Sequence, residues 1–200
     1  MTKRLSLDET IDALERGRVV ALPTDTVYGV AASIRERTAV AGLFALKRRP
    51  NDVALPVMIE SVAALEKLGV SFDERATRLA DVFWPGALTI VVPAPSALAR
   101  SVGSSVDSVG FRVPDDEALR ALLGIVGPLA VTSANEHGEA PCESADQVLA
   151  TFADRGGWAG VYDAGERHGV VSTVVELSAD QWWVRRTGAI SLARIAAVLA

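Results

Sequence analysis

Several short segments of the chain are apolar or β-branched at every position, and this feature most constrains the fold. Residues 19–22 read VVAL, residues 88–92 read LTIVV and residues 129–131 read LAV. A strand without polar alternation is typical of a sheet whose two faces are both covered. Between these segments, apolar residues recur with helical spacing. Strands mixed with helices predict an α/β domain.

The predicted elements follow one another along the whole chain. A helix at residues 6–17 begins at Ser6, whose spacing from Glu9 is that of a capping box, and ends at Gly17. The remaining patterns predict helices at 38–46, 61–68, 73–83, 115–123, 144–152 and 191–199, and strands at 55–59, 109–113, 172–177 and 182–184, with Val161 in one more strand. This order is too irregular for a plain doubly wound fold. The sequence has neither G-x-G-x-x-G nor G-x-x-x-x-G-K-[ST], so Rossmann and P-loop nucleotide sites are unsupported.

Composition limits the kinds of site that the chain can carry. Its 200 residues suit one domain, and 50% hydrophobic with 22% charged residues excludes a largely disordered chain. The single cysteine, Cys142, excludes an intramolecular disulfide framework. The two histidines, His137 and His168, leave little for a His-rich metal site. We expect Cys142 to be a passive thiol and both histidines to lie in loops.

Charge and hydropathy indicate the surroundings of the protein. No apolar run approaches the ~18 residues that cross a bilayer, and the N-terminus turns acidic where a signal peptide would be apolar. We therefore expect a soluble, cytoplasmic protein with no membrane partner. A net charge of −5 disfavours unspecific binding along nucleic acid, although it leaves room for a local basic pocket.

Four polar segments follow predicted elements, and ligands of open α/β sheets bind beyond the carboxyl ends of strands. They are residues 23–29 (PTDTVYG), 47–50 (KRRP), 132–135 (TSAN) and 185–188 (RRTG). Each has a purely structural interpretation as a turn, a helix-end surface cluster, an Asx turn or a solvated strand end. The functional interpretation is a pocket where lysine and arginine bind phosphate and hydroxyls contact a ligand.

Taken in order, the motifs resemble a known family. Besides PTDTVYG they comprise the Lys47-x-Arg49 pair, WPGALT at 84–89, VGFRVP at 109–114, Ser133-x-Asn135, STVV at 172–175 and RTG at 186–188. From about residue 7 to residue 199, the chain resembles the YrdC-type threonylcarbamoyl-AMP synthases. The resemblance implies that it makes threonylcarbamoyl-AMP and pyrophosphate from L-threonine, bicarbonate and ATP. That product serves the modification of tRNA next to the anticodon.

The same resemblance implies a fold and a set of partners. The fold is a twisted, mixed α/β sheet with flanking helices around a large concave, positively lined cavity. We expect one domain over residues 1–200, with a core at about 7–199 and no additional C-terminal domain. Mg²⁺ would be carried by the ATP phosphates rather than by a protein metal site. Proteins that modify tRNA would receive the adenylate, and weak direct binding of tRNA or other RNA is a further expectation.

Site residues are carried over from the family's motifs position by position. The resemblance implies a catalytic group of Lys47, Arg49, Ser133 and Asn135. It implies ATP contacts from Lys47, Arg49, Ser108, Asn135, Glu143 and Arg186. It implies threonine contacts from Thr26, Arg112, Ser133 and Ser172, in a pocket lined further by Thr24, Tyr28, Met58 and Thr132.

Three departures from the family's pattern fall near this pocket. Many relatives have Asn-Pro where this chain has Val53-Ala54, and a polar residue, often histidine, where it has Met58. Thr187 replaces the usual proline after the arginine. Nucleotide and threonine contacts expected at these positions therefore differ in this chain.

Two other functions compete with the synthase. One is a non-catalytic protein that binds RNA or tRNA in the same basic cavity, which the acidic net charge disfavours. The other is a different enzyme on a similar fold, such as a sugar-phosphate synthase. That chemistry needs an acidic metal cluster, whereas the sequence offers only scattered carboxylates, such as Asp107, Asp115 and Asp116.

Overall fold

The structure, a computed structural model, describes residues 3–48, 54–136, 138–179 and 181–200. Its strands are β1 (Arg4–Leu5), β2 (Val19–Pro23), β3 (Tyr28–Ser33), β4 (Val57–Met58), β5 (Leu88–Pro93), β6 (Ser108–Arg112), β7 (Leu129–Ser133), β8 (Trp158–Tyr162), β9 (Thr173–Leu177) and β10 (Trp182–Arg186). Its helices are α1 (Leu7–Glu15), α2 (Arg37–Lys47), α3 (Ala64–Lys67), α4 (Glu74–Phe83), α5 (Ser96–Ser101), α6 (Glu117–Val126), α7 (Ala145–Thr151) and α8 (Leu192–Leu199). The mixed α/β class predicted from the sequence is confirmed.

All ten described strands form one mixed sheet in the order β1-β8-β2-β3-β7-β4-β6-β5-β9-β10. Strand β3 pairs antiparallel with both β2 and β7. At the centre of the sheet, β4 lies between β7 and β6 and pairs with both. The carboxyl-terminal ends of β2 and β7 meet the start of β3, where Gly29 lies opposite both Leu22 and Ser133. The polar segments that follow β2 and β7 are thereby brought together.

Side-chain alternation divides the apolar residues between two cores. Along β2, Val19 and Ala21 belong to the larger core with α2, α4 and α7, whereas Val20 and Leu22 belong to the smaller core with α1 and α6. The predicted capping box at the start of α1 is present, because Ser6 Oγ accepts from the Glu9 amide and the Glu9 carboxylate accepts from the Ser6 amide. In the half of the sheet formed by β2, β3 and β7, the prediction that both faces are covered is correct.

The other half of the sheet is formed by β5, β6 and β9. There, the face on the side of α1 and α6 has a different environment. Strands β5, β6 and β9 send Ile90, Phe111 and Val175 into the larger core. The neighbours Thr89, Val91, Ser108, Gly110 and Val174 line a groove on the opposite side. The groove extends from this face to the predicted pocket.

Several elements of the structure differ from those predicted from the sequence. Strand β3 was not predicted, and Tyr28 and Gly29, assigned to the turn after β2, are its first two residues. Its sequence, YGVAAS, has small residues at four of six positions and therefore lacks the β-branched pattern of a strand. Strand β1, helix α5 and most of β8 were also missed. The predicted strand at 55–59 and helix at 61–68 shorten to β4 and α3.

Candidate functional site

A cleft lies where β2 passes into β3, beside the ends of β7 and β6. It encloses about 570 Å³ of space, part of it open to solvent. Its walls include all eight predicted threonine-contact and pocket-lining residues, and also Arg186, which was predicted to contact ATP. The eight are Thr24, Thr26, Tyr28, Met58, Arg112, Thr132, Ser133 and Ser172. The groove on the open face shares Pro56, Thr89 and Arg186 with this cleft. Ser108 lines that groove rather than the cleft itself.

Lys47 is the last residue of α2, and its ammonium lies behind the wall of the cleft. The residue is only 2% exposed. Its Nζ donates to the Ser133 carbonyl and, at 3.0 Å, to Asn135 Oδ1, and lies 3.5 Å from Ser133 Oγ. The Asn135 side chain is oriented by its Nδ2, which donates to the Glu136 and Glu139 carbonyls at 2.7 Å each. Three residues of the predicted catalytic group are therefore in contact.

The chain turns sharply directly after this lysine. Arg48 ends α2 with a left-handed backbone at φ 50°, a conformation that costs free energy for any residue except glycine. Such strain at a helix end is often found where a functional group is held in place. Arg49, the remaining member of the predicted catalytic group, lies outside the described residues, as does His137.

Arg112 ends β6 and lies in the wall of the cleft with 4% of its surface exposed. Its Nε donates to the Gly86 carbonyl at 2.9 Å and its Nη1 lies 3.4 Å from Thr26 Oγ1. Its Nη2 lies 2.7 Å from Asp25 Oδ2, whose side chain is 9% exposed. The guanidinium therefore has a polar neighbour at each of its three nitrogens, and both Arg112 and Thr26 line the cleft.

The loop between β2 and β3 is organised by one hydroxyl. Thr24 Oγ1 accepts from the Thr26 and Val27 amides, at 3.1 and 3.3 Å, and lies 3.0 Å from Thr26 Oγ1. The loop is shorter than the turn expected over residues 23–29, and it brings Thr26 Oγ1 to 3.4 Å from Arg112 Nη1. A Cβ on Gly29 would lie 2.8 Å from Val131 Cγ1, so the close pairing of β3 with β7 needs glycine there.

A third polar group joins the cleft to the groove. Ser172 Oγ accepts from Arg186 Nη2 at 2.8 Å and lies 3.0 Å from Thr89 Oγ1. Arg186 Nε also donates to the Ser172 carbonyl at 3.0 Å. A Cβ on Gly188 would lie 2.2 Å from the Val171 carbonyl, so the RTG segment can approach Ser172 only with glycine at its end. Predicted ATP and threonine contacts therefore meet here.

Residues 163–172 form an irregular segment, here called the strap, that crosses over the β2–β3 loop. Tyr28 Oη donates to the Gly165 carbonyl at 2.8 Å, and Arg167 Nε donates to the Thr24 carbonyl at 3.0 Å. The Gly169 amide donates to the Thr26 carbonyl at 2.8 Å. Burial, with a smaller contribution from Asp163, raises the pKa of the Tyr28 phenol. This glycine-rich segment is thus bound to the cleft wall.

Glu143 lies beside the strap and not among the cleft-lining residues. Its Oε2 is 3.1 Å from His168 Nδ1, and Glu166 Oε2 is 3.1 Å from the other ring nitrogen. These hydrogen bonds and charges, led by Glu143, raise the pKa of His168. The Glu143 carbonyl accepts from the Arg167 amide at 2.8 Å, which joins this residue to the strap through its backbone.

Met58 and Cys142 bring apolar character to the site's surroundings. Met58 lies beside Arg112 in the parallel pairing of β4 with β6, so a thioether occupies the position where many relatives have a polar residue. Cys142 is buried, and burial raises the pKa of its thiol. A thiol with a raised pKa is a weak nucleophile at neutral pH, in agreement with the passive role expected for it.

Asp25 and Thr89 were not among the residues singled out from the sequence. Asp25 stands inside the PTDTVYG motif, but nothing in the spacing connects it with Arg112 in another strand. Thr89 belongs to WPGALT and was interpreted as part of a strand. Both signals were present in the quoted motifs, and only the sheet order reveals their partners.

The chain is similar to known proteins over most of its length. It matches the family model Sua5_yciO_yrdC, described as "Telomere recombination", over residues 12–188. The chain belongs to the Sua5/YciO/YrdC family. A Mycobacterium leprae protein with the provisional name threonylcarbamoyl-AMP synthase is 38% identical over 191 residues, 94% of this chain and 86% of that protein.

Longer members of the Sua5/YciO/YrdC family match equally well. The threonylcarbamoyl-AMP synthase of Bacillus subtilis is 37% identical over 93% of this chain and 54% of its own length. The Pyrococcus abyssi Sua5 structure, complexed with L-threonine, has a TM-score of 0.88 at 34% identity and covers 100% of this chain. This chain spans 59% of that structure. It therefore corresponds to a little over half of each of these two relatives.

Proposed function

We propose that this chain is a threonylcarbamoyl-AMP synthase, a nucleotidyltransferase acting on L-threonine, bicarbonate and ATP. The observation that carries the proposal is one cleft lined by Ser133, Arg112 and Arg186, with the Lys47 ammonium bonded to Ser133 and Asn135 behind its wall. The relatives named for this activity support it, since they align over nearly the whole chain. The fold alone would not be sufficient, because one fold can carry many activities.

L-threonine would occupy the part of the cleft between Arg112 and Ser172. A guanidinium suits an α-carboxylate because its N–H groups form charge-assisted hydrogen bonds with carboxylate oxygens. The Thr26 and Ser172 hydroxyls, in the two walls, suit the amino acid's own polar groups. Met58 would contribute an apolar surface beside them.

ATP would extend from the Lys47 side of the cleft toward the groove. Lys47, Arg49 and Arg186 supply positive charge for the phosphates, and Ser108 lies further along the groove. Glu143, whose side chain is engaged with His168, would contact the nucleotide only through its backbone. Each of these roles is part of the proposal.

The reaction needs positioning and charge stabilisation more than a protein nucleophile. The amine of threonine first joins bicarbonate to give an N-carboxylate, with loss of water. An oxygen of that carboxylate then attacks the α-phosphorus, the bond to the bridging oxygen breaks and pyrophosphate leaves. Negative charge develops on the phosphates, where Lys47, Arg49 and Arg186 would stabilise it. Ser133 and Asn135 would orient the attacking group.

Mg²⁺ would enter with ATP. In the described part of the chain, no group of three or more His, Cys, Asp or Glu side chains is placed to hold a metal ion. The carboxylate nearest to Arg112, Asp25, is already paired with it. The donor set of the described residues therefore does not fit a protein-held metal.

The product is an unstable mixed anhydride, so proteins that modify tRNA would be its users. We place this work in the cytoplasm, where ATP and tRNA are available. No described helix has the length and apolar character needed to cross a membrane. Direct binding of RNA in the same groove is the competing function, and the assay below separates the two.

The decisive experiment incubates the full chain with ATP, Mg²⁺, L-threonine and bicarbonate and detects threonylcarbamoyl-AMP by mass spectrometry. Pyrophosphate release should match the product and should disappear when threonine is omitted. Serine in place of threonine tests the preference for the methyl group. No product, together with steeply salt-dependent binding of tRNA, would favour the RNA-binding function.

A further inference from the structure

We propose that Asp25 determines which class of ligand the Arg112 subsite accepts. Together the two residues form a charge-compensated pair that favours zwitterionic α-amino acids over plain anions such as hydroxy acids and phosphate. The proposal rests on the proposed function, in which Arg112 receives the α-carboxylate of threonine. It adds a specificity-determining role for a residue that has none in the preceding sections.

The pair is buried at the edge of the cleft. Asp25 Oδ2 lies 2.7 Å from Arg112 Nη2, and the two side chains are 9% and 4% exposed. Charges so far removed from water interact more strongly than charges at a surface. The pair therefore has a strong local dipole, with its positive end at the guanidinium and its negative end in the β2–β3 loop.

The Asp25 carboxylate and Arg112 do not form the fully hydrogen-bonded ion pair expected of a purely structural contact. A buried Asp–Arg pair is most stable as two parallel N–H···O bonds. Here Asp25 Oδ1 and Arg112 Nη2 are both buried and have no aligned hydrogen-bond partner among the described residues. Arg112 Nε is instead held by the Gly86 carbonyl, and Nη1 lies beside Thr26. Arg112 is therefore held in the cleft wall without the optimal ion pair.

The electrostatic consequence differs for two kinds of ligand. A plain carboxylate beside Arg112 is attracted by the guanidinium and repelled by Asp25. In an α-amino acid the ammonium is attached to the carbon that carries the carboxylate, so Asp25 attracts it while Arg112 attracts the carboxylate. The subsite thus favours the zwitterion whether or not its ammonium touches Asp25. This matters because bicarbonate, phosphate and pyrophosphate are all anions present during the proposed reaction.

The test is the ratio of two affinities, measured by calorimetry on the full chain. One ligand is L-threonine, and the other is 2,3-dihydroxybutanoate of the same configuration, in which a hydroxyl replaces the amine. For wild type we expect threonine to bind more tightly by on the order of tenfold or more. For Asp25→Asn we expect that ratio to collapse toward one, whether the affinity for threonine itself rises or falls.

A matched control separates specificity from stability. Asp116 also lies close to an arginine, with Oδ2 at 3.5 Å from Arg167 Nη2, but it does not contact Arg112. Asp116→Asn should leave the ratio unchanged. A purely structural role for Asp25 would weaken both ligands equally and would keep the ratio, which overturns the proposal.

Two further measurements keep the outcome decisive. If Asp25→Asn does not fold, wild type alone still tests the proposal, since equal binding of the two ligands would refute it. Competition by inorganic phosphate should be weak against threonine in wild type. Failure of wild type to bind threonine at all would instead count against the proposed function, so the two failures are distinguishable.

Discussion

One face of the sheet, the face on which α1 and α6 pack, consists of two halves. The halves are built from similar strands, but helices cover one of them and a groove lies along the other. In the half formed by β2, β3 and β7, Val20, Ala31 and Val131 pack under α1 and α6. In the half formed by β6, β5 and β9, the equivalent surface holds Thr89 and Gly110 and lines the groove. We call these the covered half and the open half.

The difference between the halves shows what creates a site on such a sheet. Both halves contain small and β-branched strand residues, such as Ala31 and Val131 on one and Gly110 and Val174 on the other, so these residues do not distinguish the halves. The covered half has helices that bring apolar side chains, such as Leu14 and Leu123. The open half is instead bordered by the β2–β3 loop, the strap and Arg186, which bring hydroxyls and charge. We expect changes in the open half to reduce activity and changes in the covered half to reduce stability.

The largest effect is expected for Lys47, whose ammonium contacts Ser133 and Asn135 behind the wall of the cleft. Lys47→Met keeps the buried aliphatic chain and removes the charge. Loss of one preorganised electrostatic contact of this kind costs about 10²- to 10³-fold in kcat. Threonine-dependent pyrophosphate release measures the effect, and thermal unfolding measures whether the fold persists.

Lys67 supplies the matched control for this variant. It is also the last residue of a helix, α3, but it is exposed and lies away from the cleft. Lys67→Met should be close to wild type in both assays. Near-normal turnover by Lys47→Met would contradict the role given to the open half.

The second prediction concerns the covered half. Leu123 in α6 is 0% exposed, and truncation of a buried leucine to alanine lowers the free energy of unfolding by about 2–5 kcal/mol. Chemical denaturation measures this loss, while kcat per folded molecule should stay within about twofold of wild type, because Leu123 does not line the cleft. Ile125 in the same helix is 61% exposed, so Ile125→Ala should change stability by only about 0.5 kcal/mol. A large fall in kcat for Leu123→Ala would break the division between the halves.

The fold was predictable where the pattern was local. The capping box of α1 and the apolar strands β2, β5 and β7 carry their own signals, so their positions agree with the structure to within a residue or two. Strand β3 was missed because Gly29, Ala31 and Ala32 are selected by close packing against β7 and not by strand propensity. The need for that packing is visible only once the neighbouring strand is known.

The site was predictable as a set of residues but not as a set of contacts. The ordered motifs indicated Lys47, Ser133 and Asn135, and the structure brings these three together. The pairing of Asp25 with Arg112 depends on the order of strands between them, which no local pattern encodes. The strap was equally hidden, since Gly169 binds a backbone carbonyl of the β2–β3 loop through its own amide.

The third prediction tests the open half with a smaller change. Arg186→Ala removes the hydrogen bonds to Ser172 and a positive charge at the passage between cleft and groove. We expect the KM for ATP to rise by roughly tenfold, as for the loss of one charged hydrogen bond. The neighbouring Arg185 also lines the groove, but its charge is paired with Glu176 and it stacks over Trp183. Arg185→Ala is therefore the comparison variant and should raise the KM for ATP less than Arg186→Ala does. Equal effects of the two variants would mean that charge anywhere on β10 suffices.

The smallest effect is expected for His168 and concerns how pH changes the stability of the segments that cover each half of the sheet. Helices α1 and α6 pack by apolar contact, which does not depend on pH, whereas the strap of the open half carries His168 between Glu143 and Glu166. These carboxylates raise the pKa of His168 above its ordinary value of 6.5. The ion pairs therefore stabilise the folded state fully below that ordinary value, and this contribution is lost as pH rises through the higher pKa of the folded protein. Since His168 is exposed, the melting temperature should fall only slightly over this range, and His168→Gln should remove that pH-dependent part. Identical melting profiles for wild type and His168→Gln at every pH would contradict the polar attachment of the strap at this residue.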